Sequence, residues 1–182
     1  AIRNAVYYSV FKERLSQRDY DLLVVGDMRQ YIKKLRTQGF VFGKIRRKDT
    51  VVLKKKIVPH PMDKFEDYVY LDLYRDPNFK NIREDLRIGT NFTINQFALP
   101  FAMANSPAWK KHLIALPSAL KDLKAKQLRV NLQNPKHHPG DLFACLRFMS
   151  AGFKKPSKKE VAVLLEAFSK FEKWRYPRNV DK

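Results

Sequence analysis

Phe40 to Val58 reads FVFGKIRRKDTVVLKKKIV, and the fold class turns on how that stretch is parsed. Phe40, Val41, Phe42 and Ile45 lead in, and Val51, Val52, Leu53, Ile57 and Val58 lead out, both sets rich in strand formers. Arg47-Lys48-Asp49-Thr50 is the expected turn. Pro59 and Pro61, around His60, close the element because proline donates no ladder hydrogen bond. Within it Lys44, Arg46, Arg47, Lys48, Lys54, Lys55 and Lys56 stand against Asp49 alone, a net +6. Unpaired charge is costly to bury, so this hairpin must face water or a polyanion. The stretch predicts a projecting basic β-hairpin on a mainly helical body, an α+β chain.

The whole chain shares that bias. It has 182 residues, 45% of them hydrophobic, and a net charge of +19 with a pI near 10.1. So much apolar content supports a packed core and argues against general disorder. A charge of this size repels itself in a compact state and is tolerated when a polyanion neutralises it. Nucleic acid is the first such partner and an anionic membrane surface the second. One cysteine, Cys145, excludes an intramolecular disulfide and a cysteine-based zinc cluster, and favours a reducing compartment. No apolar run reaches the roughly 18 residues of a membrane span; the most apolar stretch, from Phe97 to Ala104, is interrupted by Pro100. The first residues, AIRNAVYYSVFKERL, are amphipathic and mildly basic with no secretory hydrophobic segment. They are compatible with an organelle address already removed.

Upstream of the hairpin, Ile2 to Leu15 predicts a helix with Val6, Val10 and Phe11 inward. Ser16 to Asp19 resembles a capping box, and Leu22, Val25, Met28, Ile32 and Leu35 then recur at helical spacing. The preferred parse is one helix ended by Gly39; the rival makes Leu22 to Val25 a strand and starts the helix at Asp27. Downstream, Met62 to Asp85 reverses sign, with seven acids to four bases, and a strand is possible through Leu73. From Leu86 to Lys159 thirteen Lys or Arg face Asp122 and Asp141 only, a net +11.

In that basic region Thr93 to Met103 reads as helical, and Ser106-Pro107 and Pro117-Ser118 as helix starts. Leu120, Leu123 and Leu128 form the apolar side of the second, and Asn131 to Gly140 is a loop. Asp141 is expected to cap a helix with Leu142, Cys145, Leu146 and Met149 on one face, stopped by Gly152. Ser157 and Glu160 form a capping box for a second helix carrying Val161, Leu164, Leu165, Phe168 and Phe171. The expected organisation is residues 1–62 as helices and hairpin, 63–85 as an acidic connector, and 86–182 as a basic helical region ending in this helix pair.

Catalytic signatures are absent. There is no phosphate-binding glycine loop and no nucleophile elbow. Neighbouring His137 and His138 lie in a loop without metal-ligand spacing, and Cys145 sits on an apolar helix face, which marks an inert thiol. Glu66-Asp67 and Glu84-Asp85 are adjacent carboxylates with nothing to place them in a pocket. The reading is therefore non-enzymatic, with no cofactor, metal or small-molecule substrate. No motif aligns the chain with a known family.

What remains is phosphate-backbone recognition of ribosomal or other structured RNA through basic surfaces. One surface is the hairpin, with the seven cations named above. The other comprises Lys110, Lys111, Lys124, Lys126, Arg129, Lys136, Lys154 and Lys155. Phe40 and Phe42 are weighed as base-stacking residues against core packing, which is preferred, and Trp109 and Trp174, beside cations, with the same caution. The expected role is a structural protein of a mitochondrial ribosome among protein neighbours. The alternatives are a soluble accessory subunit of a mitochondrial membrane complex (respiratory or ATP synthase) and a free-standing RNA-binding factor.

Overall fold

The structure, a computed structural model, describes residues 2–13, 19–47, 50–56 and 68–170, with backbone alone at 19 and 44–47. In chain order the helices are α1 (Ile2–Phe11), α2 (Met28–Thr37), α3 (Ile82–Gly89), α4 (Pro117–Lys124), α5 (Gly140–Ser150) and α6 (Lys158–Ser169). The strands are β1 (Asp19–Leu23), β2 (Val41–Arg47), β3 (Thr50–Lys56), β4 (Tyr68–Tyr74), β5 (Phe97–Ala98) and β6 (Ile114–Ala115). The chain is therefore α+β. It divides into two compact units, one of Ser16–Phe79 and one of Ile2–Leu15 with Lys80–Lys182.

The first unit is a four-stranded sheet in the order β1-β4-β3-β2, with β1 parallel to β4 and the other pairs antiparallel. The basic hairpin is thus the outer half of a larger sheet. Its inner strand β3 is covered along its length by β4, so the residues expected as an acidic connector supply a central strand. On one face Leu53, Leu71, Leu73 and Val24 are buried, with Met28, Ile32 and Leu35 of α2 and Phe40 packed on them. Arg47 registers with Thr50. The expected turn residues Lys48 and Asp49, and Pro59, His60 and Pro61, lie outside the described residues.

The preferred single helix through Leu22 and Leu35 is not what forms. β1 is a strand hydrogen-bonded to β4, and Gly26, at φ +103°, turns the chain before α2. Asp27 caps that helix, its carboxylate accepting from the Arg29 amide at 2.9 Å. Gly39, at φ +86°, ends it: its amide bonds to the Arg36 carbonyl and that of Phe40 to the Leu35 carbonyl, both free helix-end acceptors. The apolar spacing was continuous across Gly26 because a buried strand and a helix face can share residues over one turn.

The second unit gathers Val6 and Tyr7 of α1, Phe92, Ile94, Phe97, Ala119, Leu123, Leu128, Val130, Cys145, Phe153 and Leu164 into one core. Several expected positions differ. On α1, Tyr7 takes the inward place and Val10 faces out, because Tyr7 stacks on Phe11 and Phe153 at centroid distances of 4.6 and 5.9 Å. Thr93 to Met103 is not a helix: short 3-10 turns flank β5, which pairs with β6. Ser106-Pro107 leads only to the 3-10 turn Trp109–His112. On α4, Ala119 and Leu123 are buried while Leu120 is exposed. Asp141 lies inside the first turn of α5, with Pro139 at the cap position. On the α5–α6 pair, Leu146 and Leu165 are about half exposed, and Phe143 meets Phe168 edge to face at 5.7 Å.

Candidate nucleic-acid interface

Residues 80–170 hold sixteen Lys or Arg and six Asp or Glu. Three of those acids, Asp122, Asp141 and Glu160, are buried. Each is held by donors. Asp122 accepts from the Thr93 hydroxyl at 2.7 Å and from Arg129 Nε at 3.2 Å. Asp141 accepts from Asn91 Nδ2 at 2.6 Å and the His138 amide at 2.9 Å, and pairs with His137 Nδ1 at 3.2 Å. Glu160 accepts from the Ser157 amide and hydroxyl and from the Val130 amide. A buried carboxylate is tolerated when donors surround it. Half the acids of this stretch are thereby drawn into the interior, while its cations are mostly at the surface.

This arrangement reassigns His137. Its ring is buried, tied on one side to Asp141 and on the other, 3.1 Å away, to the Asn131 carbonyl, so it pins the 131–140 loop. Asn131 and Asn134 complete the clasp by donating to the Thr90 carbonyl. His138 is exposed, and its Nδ1 accepts the Gly140 amide at 3.1 Å. Among the described residues no group of three His, Cys, Asp or Glu has the arrangement of a metal site. Cys145 is buried 3.9 Å from the Met149 sulfur, and burial, then the charge of Glu160, push its thiol pKa up. Glu84 is paired with Arg87 at the surface, and Glu66-Asp67 lie outside the described residues.

Of the candidate cations in this unit, backbone pairing joins two groups distant in sequence. The Lys154 amide bonds to the Lys126 carbonyl at 2.7 Å and the Leu128 amide to the Lys154 carbonyl at 3.2 Å. The end of α4 and the segment after it, with Lys124 and Arg129, thus lie beside the α5–α6 loop with Lys154 and Lys155. Two members are partly committed within the chain. Lys126 pairs with Glu13 at 3.3 Å and lies over the Tyr7 and Phe11 rings. Arg129 pairs with Asp122. Lys110 and Lys111 are exposed on their 3-10 turn, and Lys136 on the loop. Arg3, not singled out by sequence, is also internal: it bonds to Asn4 and Asn95 and lies 4.6 Å over Phe148. Burial, then the charge of Arg147, lower its pKa to about 10.

In the sheet unit, strand geometry divides the lysine run. Successive strand residues point to opposite faces. Lys54 Nζ lies 5.0 Å over Tyr68, whereas Lys55 Nζ lies 5.7 Å over Phe40 on the α2 side. Lys54 and Lys56 register with Tyr70 and Tyr68, so the tyrosines of the acidic segment share a face with lysines of the hairpin. Lys44, Arg46 and Arg47 lie on β2, and Lys48 is outside the described residues. The sequence reading missed a basic row on α2: Arg29, Lys33 and Arg36 are exposed beside Phe42, itself 50% exposed. The signal is present as cations at the polar positions between Met28, Ile32 and Leu35, a pattern that any solvated helix face shares.

Among the described residues no helix is long and apolar enough to cross a membrane. No family model matches the chain, and no curated protein matches it. It is similar in fold to a chain of a solved assembly named "Structure of tRNA-processing enzyme complex 3", with a TM-score of 0.53 and 24% identity. The likeness covers 91% of this chain and 41% of the other, so this chain spans less than half the length of that relative.

Proposed function

We propose that this chain is a non-catalytic RNA-binding component of a ribonucleoprotein, holding folded RNA by its phosphate backbone. The observation that carries the reading is the sorting of charge in residues 80–170, with three of six acids buried and with Lys124, Arg129, Lys154 and Lys155 exposed on two segments that backbone hydrogen bonds join. Such sorting leaves mostly cations at the water boundary, and phosphate is the abundant ligand for them. The finer reading is a structural protein of the mitochondrial ribosome contacting rRNA, with other proteins of the assembly as neighbours. Its RNA contacts would run through the β2–β3 cations and the 110–155 lysines.

A second RNA class is favoured by one finding. The relative in fold belongs to an assembly named for tRNA processing, which supports transfer RNA or its precursors as the ligand. Rate-zonal sedimentation of a cell extract, with sequencing of RNA crosslinked to the chain, separates the readings. Co-migration with a ribosomal subunit that survives detergent and is lost with nuclease, with rRNA crosslinks, supports the first. Crosslinks to tRNA in a lighter complex support the second, and a light species crosslinked to other RNA would mark a free-standing factor. Migration with a membrane complex that ignores nuclease overturns the RNA reading in favour of a membrane-complex subunit.

A further inference from the structure

The α2 row and the edge strand β2 enclose an open concavity of about 490 Å³, lined by Arg29, Ile32, Lys33, Arg36, Thr37 and Phe42. Three of the six are cations and none is an acid. The cations recur at four- and three-residue steps, one face of the helix, and span roughly 10 Å along its axis at about 1.5 Å per residue. That row suits consecutive phosphates of an extended strand. Phe42 forms the opposite wall. Phe40, two residues earlier, is packed on the buried cluster of the sheet, so the two aromatics have different roles. The Arg36 guanidinium lies 5.5 Å from the Phe42 ring centroid, and among the described residues no acid lines the hollow.

We propose that this concavity is a binding site for an unpaired RNA nucleotide, with the base stacked on Phe42 and flanking phosphates held by Arg29, Lys33 and Arg36. The inference rests on the RNA-binding reading and adds to it a preference for single-stranded segments at this place. Aromatic rings and guanidinium planes both stack on bases, and stacking tolerates any base because each has a π-face. A duplex cannot use the site, since its bases are already stacked on one another.

The test uses the full chain with two labelled probes, a ten-nucleotide oligouridine and an RNA duplex of equal length. Phe42→Leu keeps an apolar side chain on an edge strand and should leave the circular dichroism spectrum unchanged. It should weaken oligouridine binding by about 5- to 150-fold, the equivalent of losing one stacked base, and leave the duplex unaffected. Arg29→Gln with Lys33→Gln and Arg36→Gln should lower the oligouridine salt slope by about 2, from three contacts at about 0.7 each. Unaltered oligouridine affinity in both variants, or equal losses for duplex and single strand, overturns the site. Failure of the wild-type chain to bind either probe overturns the RNA reading itself. Binding of a phosphopeptide in place of oligouridine, with the same dependence on the α2 cations, overturns the nucleotide assignment.

Discussion

Replacing Glu160 by alanine should cost the second unit about 3 kcal/mol, considerably more than a lost helix cap. Glu160 Oε2 accepts the Ser157 amide at 2.7 Å and the Ser157 hydroxyl at 2.6 Å, the reciprocal half of a capping box. Its other oxygen accepts the Val130 amide at 3.1 Å, in a residue that is 3% exposed. Loss of a cap costs about 0.5 to 2 kcal/mol. A buried donor left without an acceptor costs about 1 to 3 kcal/mol. Ser157→Ala removes only the first contribution and should cost about 1 kcal/mol. Glu160→Gln retains a carbonyl oxygen for Val130 and should fall between the two. Trp109 packs against the core of this unit, so urea unfolding followed by tryptophan fluorescence reports on it. A 3 kcal/mol loss moves the midpoint by about 1 to 3 M at an m-value of about 1 to 3 kcal/mol/M. If Glu160→Ala and Ser157→Ala shift it equally, the link to Val130 contributes nothing and the reasoning fails.

Two further outcomes follow from local chemistry. Glu13 has its pKa lowered by the Tyr7 hydroxyl, which donates to it at 2.8 Å, and then by Lys126. A depressed carboxylate stabilises the fold above its unfolded pKa and loses that contribution as pH falls through the folded one. The stability gap between wild type and Glu13→Gln should therefore be present at neutral pH and close in acid, measured by thermal unfolding across that range; a gap that widens in acid refutes the assignment. Gly152 ends α5 at φ +86° with nothing within 4 Å of where a Cβ would stand. Gly152→Ala should therefore cost about 1 to 2 kcal/mol of backbone strain without any clash, and an unchanged melting temperature would refute it.

The parts of the fold that were legible in sequence are those whose signal is local. The strands of the hairpin declare themselves through Val51, Val52 and Leu53, and the start of α6 through Ser157 and Glu160, because partners three residues apart specify the motif. The same Glu160 shows the limit. Its bond to Val130 spans thirty residues and leaves no periodic trace. β4 was visible as an alternating run, yet its place between β1 and β3 was not, since non-local pairing is decided by which apolar faces meet. Asp122 enters the sequence reading only in the charge balance, and Asp141 as a helix cap, because composition cannot distinguish a solvated carboxylate from one surrounded by Thr93 and Arg129 or by Asn91 and His137. Phe42 presents the opposite case: an apolar residue in a strand pattern is counted toward the core, and here the edge position of β2 leaves it half exposed.

The same geometry changes what a run of like charges means. Lys54, Lys55 and Lys56 are contiguous in sequence, but a strand directs neighbours to opposite faces, and Lys54 and Lys55 lie over rings on different sides of the sheet. A polyanion resting on one face reaches only part of the run. Two other arrangements gather charge on one surface: Arg29, Lys33 and Arg36 along one face of α2, and the 124–129 segment against Lys154 and Lys155. Lys126 and Arg129 have acidic partners within the chain, so a phosphate must compete with Glu13 or Asp122 for them. Lys33 and Arg36 line a hollow that holds no acid among the described residues. The stretch of highest charge density is therefore a poorer guide to where a phosphate would bind than a helix face whose cations have no acid lining the same hollow.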